Sequence, residues 1–83
     1  MATTKNDLRR WFKQGVKNGA THMIVVCDTF DHDDYPVYVS PQEDVHVIEK
    51  EKSGASMQKV MEVYNLKLPM DKQIDGGVLQ FNY

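Results

Sequence analysis

The segment Asp28-Thr29-Phe30-Asp31-His32-Asp33-Asp34 places four carboxylates and one imidazole within seven residues. Oxygen-rich clusters of this kind hold hard divalent cations. Asp28, Asp31, His32 and Asp33 are the residues that would act as ligands here. The glycine and the distant glutamate of an EF-hand loop are missing, so that motif is absent. Turn chemistry is also enough to explain the composition, because short Asp side chains bond their own backbone and keep a loop in water. The other role open to such a segment is recognition of a basic partner. Asp31, Asp33, Asp34 and Tyr35 are then the residues expected to carry the contact.

A second constellation is Cys27 with three histidines, His22, His32 and His46. A cysteine activated by a neighbouring imidazole is a nucleophile. No arginine follows Cys27 at phosphate-loop spacing, and no glycine-rich cradle accompanies it. Free cysteine is among the most buried residue types, so a small core side chain is the expected role. No His-x-x-x-His and no Ser/His/Asp set is present. A third group, Arg9, Arg10, Lys13 and Lys17, lines one helix face. It could meet phosphate, but it lacks interleaved aromatics for stacking on bases, and a solvated face explains it. No catalytic residue and no cofactor is expected.

The elements that position these groups follow from hydrophobic spacing. Leu8, Trp11, Phe12 and Val16 share one arc of a helix over about residues 5–18. Thr4 is the expected N-cap, with Asp7 at the third helical position. Residues 1–4 are otherwise expected to be disordered. Asn18-Gly19 supplies the left-handed residue that ends the helix. Met23 to Cys27 is a continuous apolar, largely β-branched run, which predicts a strand covered on both faces. Tyr35 to Val39 is a second strand, and Pro36, with no N–H for the ladder, favours an edge strand or a strand start. The two form a hairpin around the acidic segment.

Ser40-Pro41-Gln42-Glu43 predicts a helix start, and that helix should run to about Lys52 with a thin apolar side of Val45, Ile48 and the Lys52 stem. Residues 57–66 fit both helical and strand spacing. Val-Met-Glu-Val-Tyr and the terminating Pro69 favour a strand, with Val60, Tyr64, Leu66 and Leu68 on one face and Met61 and Val63 on the other. Residues 70–75 suggest one helical turn, and 70–83 a docked tail or a short extra strand at 78–81. The expected architecture is α+β, in the order α-β-β-α-β, with two helices packed on an antiparallel sheet. The strand over Met23–Cys27 should lie in the middle, with one sheet face partly open.

The chain has 83 residues, of which 41% are hydrophobic and 27% charged, with a net charge of −2. That is one small domain, spanning 1–83, and excludes a disordered chain or a disulfide scaffold. A sequence-independent nucleic-acid binder would be basic, and a DNA mimic would be far more acidic. The charge is uneven. Residues 1–20 hold five bases against one acid, a net +4, whereas residues 21–83 carry −6. One cysteine allows no internal disulfide and fits a reducing cytoplasm. No segment approaches the roughly 20 apolar residues of a membrane span.

The stretch Gly19-Ala20-Thr21-His22-Met23-Ile24-Val25-Val26-Cys27-Asp28-Thr29-Phe30-Asp31-His32-Asp33-Asp34-Tyr35-Pro36-Val37-Tyr38-Val39, together with Met57 to Leu66, resembles a group of small uncharacterised proteins of bacteriophages and prophage regions. The resemblance covers most of the chain. The group carries no established activity, so no functional residue is carried over. It implies a mobile-element accessory protein in a bacterial cytoplasm, which acts by binding a host or defence component. The expected function is thus a non-enzymatic binding protein that presents its acidic hairpin to a basic host or phage protein surface. The alternative is a metal- or nucleotide-binding protein or enzyme built on residues 28–34. A homo-oligomer formed through an open sheet face or edge strand is the third expectation, and no membrane partner is expected.

Overall fold

The computed structural model describes residues 3–31, 33–54, 57–75 and 81–83. It is an α+β fold with the elements α1 (Lys5–Lys17), β1 (His22–Asp28), β2 (Asp33–Val39), α2 (Val45–Gly54), β3 (Gln58–Asn65) and α3 (Met70–Ile74). The three strands form one antiparallel sheet in the order β2-β1-β3.

Helix α1 starts on a full capping box. The Asp7 N–H donates to the Thr4 hydroxyl at 3.2 Å, and the Thr4 N–H donates to the Asp7 carboxylate at 3.1 Å. Thr4 is therefore a working part of the helix start rather than a loose leader, because its backbone and its side chain both satisfy orphan groups of the first turn. The helix ends as Gly19 takes φ +78°, a conformation open to glycine at no steric cost.

β1 lies in the middle because its side chains are apolar in both directions. Successive residues of a strand alternate between faces, and directly paired residues share one. Met23 and Val25 point to the face covered by Leu8, Phe12 and Ile74 of α1 and α3. Ile24 and Val26 point to the other, where Val45 and Ile48 of α2 pack. All four side chains are essentially inaccessible to water. Each contributes roughly 1.5–3 kcal/mol on burial. The expected open sheet face is thus replaced by a sandwich, with α1 and α3 on one side of the sheet and α2 on the other. A two-sided apolar strand requires that arrangement, since a helix layer on one side only would leave Ile24, Val26 and Val63 in water.

Two further expectations change. Ser40 and Glu43 do bond reciprocally: the Ser40 N–H donates to the Glu43 carboxylate at 3.0 Å, and the Glu43 N–H donates to the Ser40 carbonyl at 3.0 Å. They close a turn, however, and α2 begins at Val45. There the Asp44 carboxylate accepts from the His46 N–H at 2.9 Å. Asp competes equally with Ser as a helix-starting residue, and a start at Asp44 sets Val45 in the first turn, where it is buried against the sheet. In β3, Val25 pairs with Glu62 but Val26 pairs with Val60, so Met61 is an extra residue in a bulge. The bulge re-phases the strand. Val60 and Val63 therefore share the α2 side, while Met61 and Tyr64 share the α1 side.

Close approach and polar linkage hold the α1 side together. A Cβ on Gly15 would stand 2.8 Å from both Leu66 Cδ1 and Tyr38 Cε1. The hydrogen in that place lets the two side chains press on the helix. The Tyr38 hydroxyl donates to the Trp11 carbonyl at 2.8 Å. Gln73 is buried and joins several segments. Its amide nitrogen donates to the carbonyl of Asn65 at 2.9 Å, while its oxygen accepts from the Asn65 N–H at 2.9 Å and from the Asn82 side chain at 3.0 Å. Phe81 bridges Val63 in parallel. Most of the expected strand at 78–81 lies outside the described residues.

Candidate functional site

The hairpin tip is tighter than its sequence suggests. β1 and β2 stay paired as far as Asp28 and Asp33, so Asp33 and Asp34 are strand residues and the connection is the four residues 29–32. Asp28 turns its carboxylate inward on the loop. One oxygen accepts from the Phe30 N–H at 2.9 Å and from the Asp31 N–H at 3.4 Å. That is the local bonding that makes Asp favourable at turns.

The residues expected to bind a partner do not all point one way. Asp31 and Asp33 are exposed, whereas Asp34 and Tyr35 are half-buried. By the pairing register, Asp33 and Tyr35 lie on the α2 side of the sheet and Asp34 on the α1 side, opposite Cys27. The Tyr35 hydroxyl accepts from the Gln58 side chain, which ties β2 to β3 across the central strand.

The residue that sequence reasoning missed is Phe30. It sits in the loop between Asp28 and Asp31 with 70% of its surface exposed. Beside it runs the entrance to β3, where the Thr29 N–H donates to the Met57 carbonyl at 2.9 Å. Met57 is 55% exposed and holds φ +61°, a left-handed conformation uncommon for a non-glycine residue. Phe30 could have been found in the sequence, since a large apolar residue within an Asp-rich loop has no second face to pack on. Met57 could not, because only the fold brings it to this end.

The expected metal ligands are placed as follows. Asp28 directs an oxygen at two backbone N–H groups, Asp31 and Asp33 face solvent, and His32 lies outside the described residues. Among the described residues, no three His, Cys, Asp or Glu side chains converge as a metal-binding group.

Cys27 is half-buried. Its burial and the Asp34 carboxylate beside it push the thiol above its usual range. A thiolate is the nucleophilic form, so this environment works against reactivity. His22 lies five positions back along the same strand, on the opposite face and about 17 Å away at the ordinary strand rise. Its Nδ1 is 2.9 Å from the Thr21 hydroxyl, and its Nε2 is 2.9 Å from the main-chain oxygen of Tyr83, to which it donates. His46 stacks on the Tyr83 ring with centroids 4.3 Å apart. The Tyr83 hydroxyl donates to Glu49, which raises its pKa. Both histidines thus fasten the tail rather than serve Cys27.

Comparison with family models, curated proteins and solved structures finds no match to this chain.

The basic face of α1 is partly spent on structure. Arg9 Nη2 lies 2.7 and 2.8 Å from the two carboxylate oxygens of Asp75, Lys5 lies 3.7 Å from the same group, and Arg10 lies 3.1 Å from Asp7. Lys13 and Lys17 are exposed. Among the described residues no helix is long and apolar enough to cross a membrane.

Proposed function

We propose that this chain is a non-enzymatic binding protein, a phage or mobile-element accessory, that covers a basic surface of a host or defence protein. One observation carries the reading: Asp31 and Asp33 stand exposed at the tip of a hairpin whose inner strand is buried from Met23 to Val26. A rigid sheet that ends in carboxylates offers a preorganised anionic contact with little ordering left to do on binding. The phage and bacterial assignment rests on the resemblance of residues 19–39 and 57–66. The contact set is Asp31, Asp33, Asp34 and Tyr35.

The test is affinity capture from a bacterial lysate, with wild-type chain beside the Asp31→Lys/Asp33→Lys/Asp34→Lys variant and with the melting temperature of both recorded. The proposal expects a protein with a basic surface in the first capture, and its loss from the second at a nearly unchanged melting temperature. Equal recovery by both chains would reject it.

A further inference from the structure

We infer that the contact at the tip is centred on the apolar pair Phe30 and Met57, and that its partner is a basic amphipathic protein segment, with one apolar side chain or row framed by Lys or Arg. The inference rests on the binding role proposed for the hairpin and names what that role would recognise. The two side chains are 70% and 55% exposed, and their chains are joined by the bond from the Thr29 N–H to the Met57 carbonyl. Large apolar groups at the centre of a patch with a polar rim are the usual arrangement of an interface hot spot.

Charge complementarity decides the occupant. Asp31 and Asp33 stand exposed close to Phe30 in the chain. A second copy of the same tip would set carboxylate against carboxylate. Nucleic acid and an anionic lipid surface would meet the same repulsion. A neutral apolar partner would leave the carboxylates to be desolvated without compensation. A segment that places an apolar side chain on Phe30 and Met57, with cations around it, satisfies both parts of the surface. Amphipathic helices supply that pattern at their ordinary spacing.

The test uses three synthetic helical peptides of equal length: one of Leu and Lys at amphipathic spacing, one with each Leu replaced by Gln, and one with each Lys replaced by Glu. Each is titrated into the full chain by calorimetry at physiological salt. The inference expects one-to-one binding of the Leu/Lys peptide, at least tenfold weaker binding of the Gln/Lys peptide, and none of the Leu/Glu peptide. Phe30→Ser should weaken the first by about tenfold or more. Met57→Gly should weaken it as well. Glycine fits φ +61° better than methionine does, so that loss could not be assigned to unfolding. Equal binding of the Leu/Lys and Gln/Lys peptides, both lost on charge reversal at Asp31 and Asp33, would overturn the apolar centre while leaving the acidic contact in place. Failure of every basic peptide to bind would overturn both.

Discussion

The two ends of the sheet use charge in opposite ways. At the end where β1 begins, acids and bases meet: Arg9 and Lys5 of α1 face Asp75 just past α3. The apolar residues there, Leu8, Phe12 and Ile74, are buried beneath them. At the other end, carboxylates and large apolar side chains both face water, with Asp31, Asp33, Phe30 and Met57 exposed. Exposed ion pairs contribute little to stability, and exposed aromatic side chains contribute less. The first end is organised to fasten a helix layer. The second has the composition of a surface kept for contact, supported by a central strand that stability already requires.

Substitutions test this contrast, and the largest effect should fall on binding. Reversing Asp31, Asp33 and Asp34 to Lys should weaken a captured basic partner by about 100-fold or more, because each contact turns from attraction to repulsion. Arg9→Gln with Asp75→Asn should leave that affinity unchanged within twofold, as measured by calorimetry. Equal losses from the two sets would erase the distinction between the ends.

On the stability side, Gly15→Val should be the most damaging. The 2.8 Å approaches of Leu66 and Tyr38 leave no room for a side chain, and overpacking of this kind costs about 1–3 kcal/mol. Urea denaturation should show that loss, with partner affinity retained in the folded fraction. Gln73→Leu should cost about 1–2 kcal/mol by the same measurement, since the Asn65 N–H and carbonyl lose their buried partner.

Smaller effects follow from titration. The N–H bonds that Asp7 and Glu43 accept from Thr4 and Ser40 hold both carboxylates below their ordinary values of 3.8 and 4.5. A carboxylate whose folded pKa is lowered adds stability above the unfolded value, and that stability is lost as pH falls through the folded one. Thermal melts should therefore decline on acidification below about 4.5, and the decline should be shallower in Asp7→Asn. Cys27, raised by burial and by Asp34, should react with iodoacetamide more slowly at neutral pH than a free thiol does. Faster alkylation would reopen a catalytic reading of that end of β1.

Much of the fold was legible because its signals are local. The Thr4/Asp7 box, the apolar run from Met23 and the edge-favouring Pro36 each act within a few residues, and they gave α1, the central strand and the order of the sheet. The start of α2 was misplaced because Ser40 and Asp44 compete for the same role, and burial of Val45 decides between them. The faces of β3 were mis-phased at Met61, since a bulge depends on the partner strand and leaves no mark on spacing. A second helix over the sheet and a central strand covered on both faces are legible in the sequence, but the placement of α2 on the face opposite α1 is not. Val45 and Ile48 make a thin stripe, and the apolar demand of Ile24 and Val26 beneath sets the side that it covers. At the site, the carboxylates were legible and their directions were not. Met57 reaches the tip only through the pairing of β3 with β1.

The most direct test of the account is a map of amide shifts on isotope-labelled chain, titrated with the basic partner recovered by capture. The shifts should concentrate at residues 28–34 and 57–59, with α1 and α3 unmoved. Shifts gathered on Lys13, Lys17 and the α1–α3 face, with the hairpin tip silent, would contradict it.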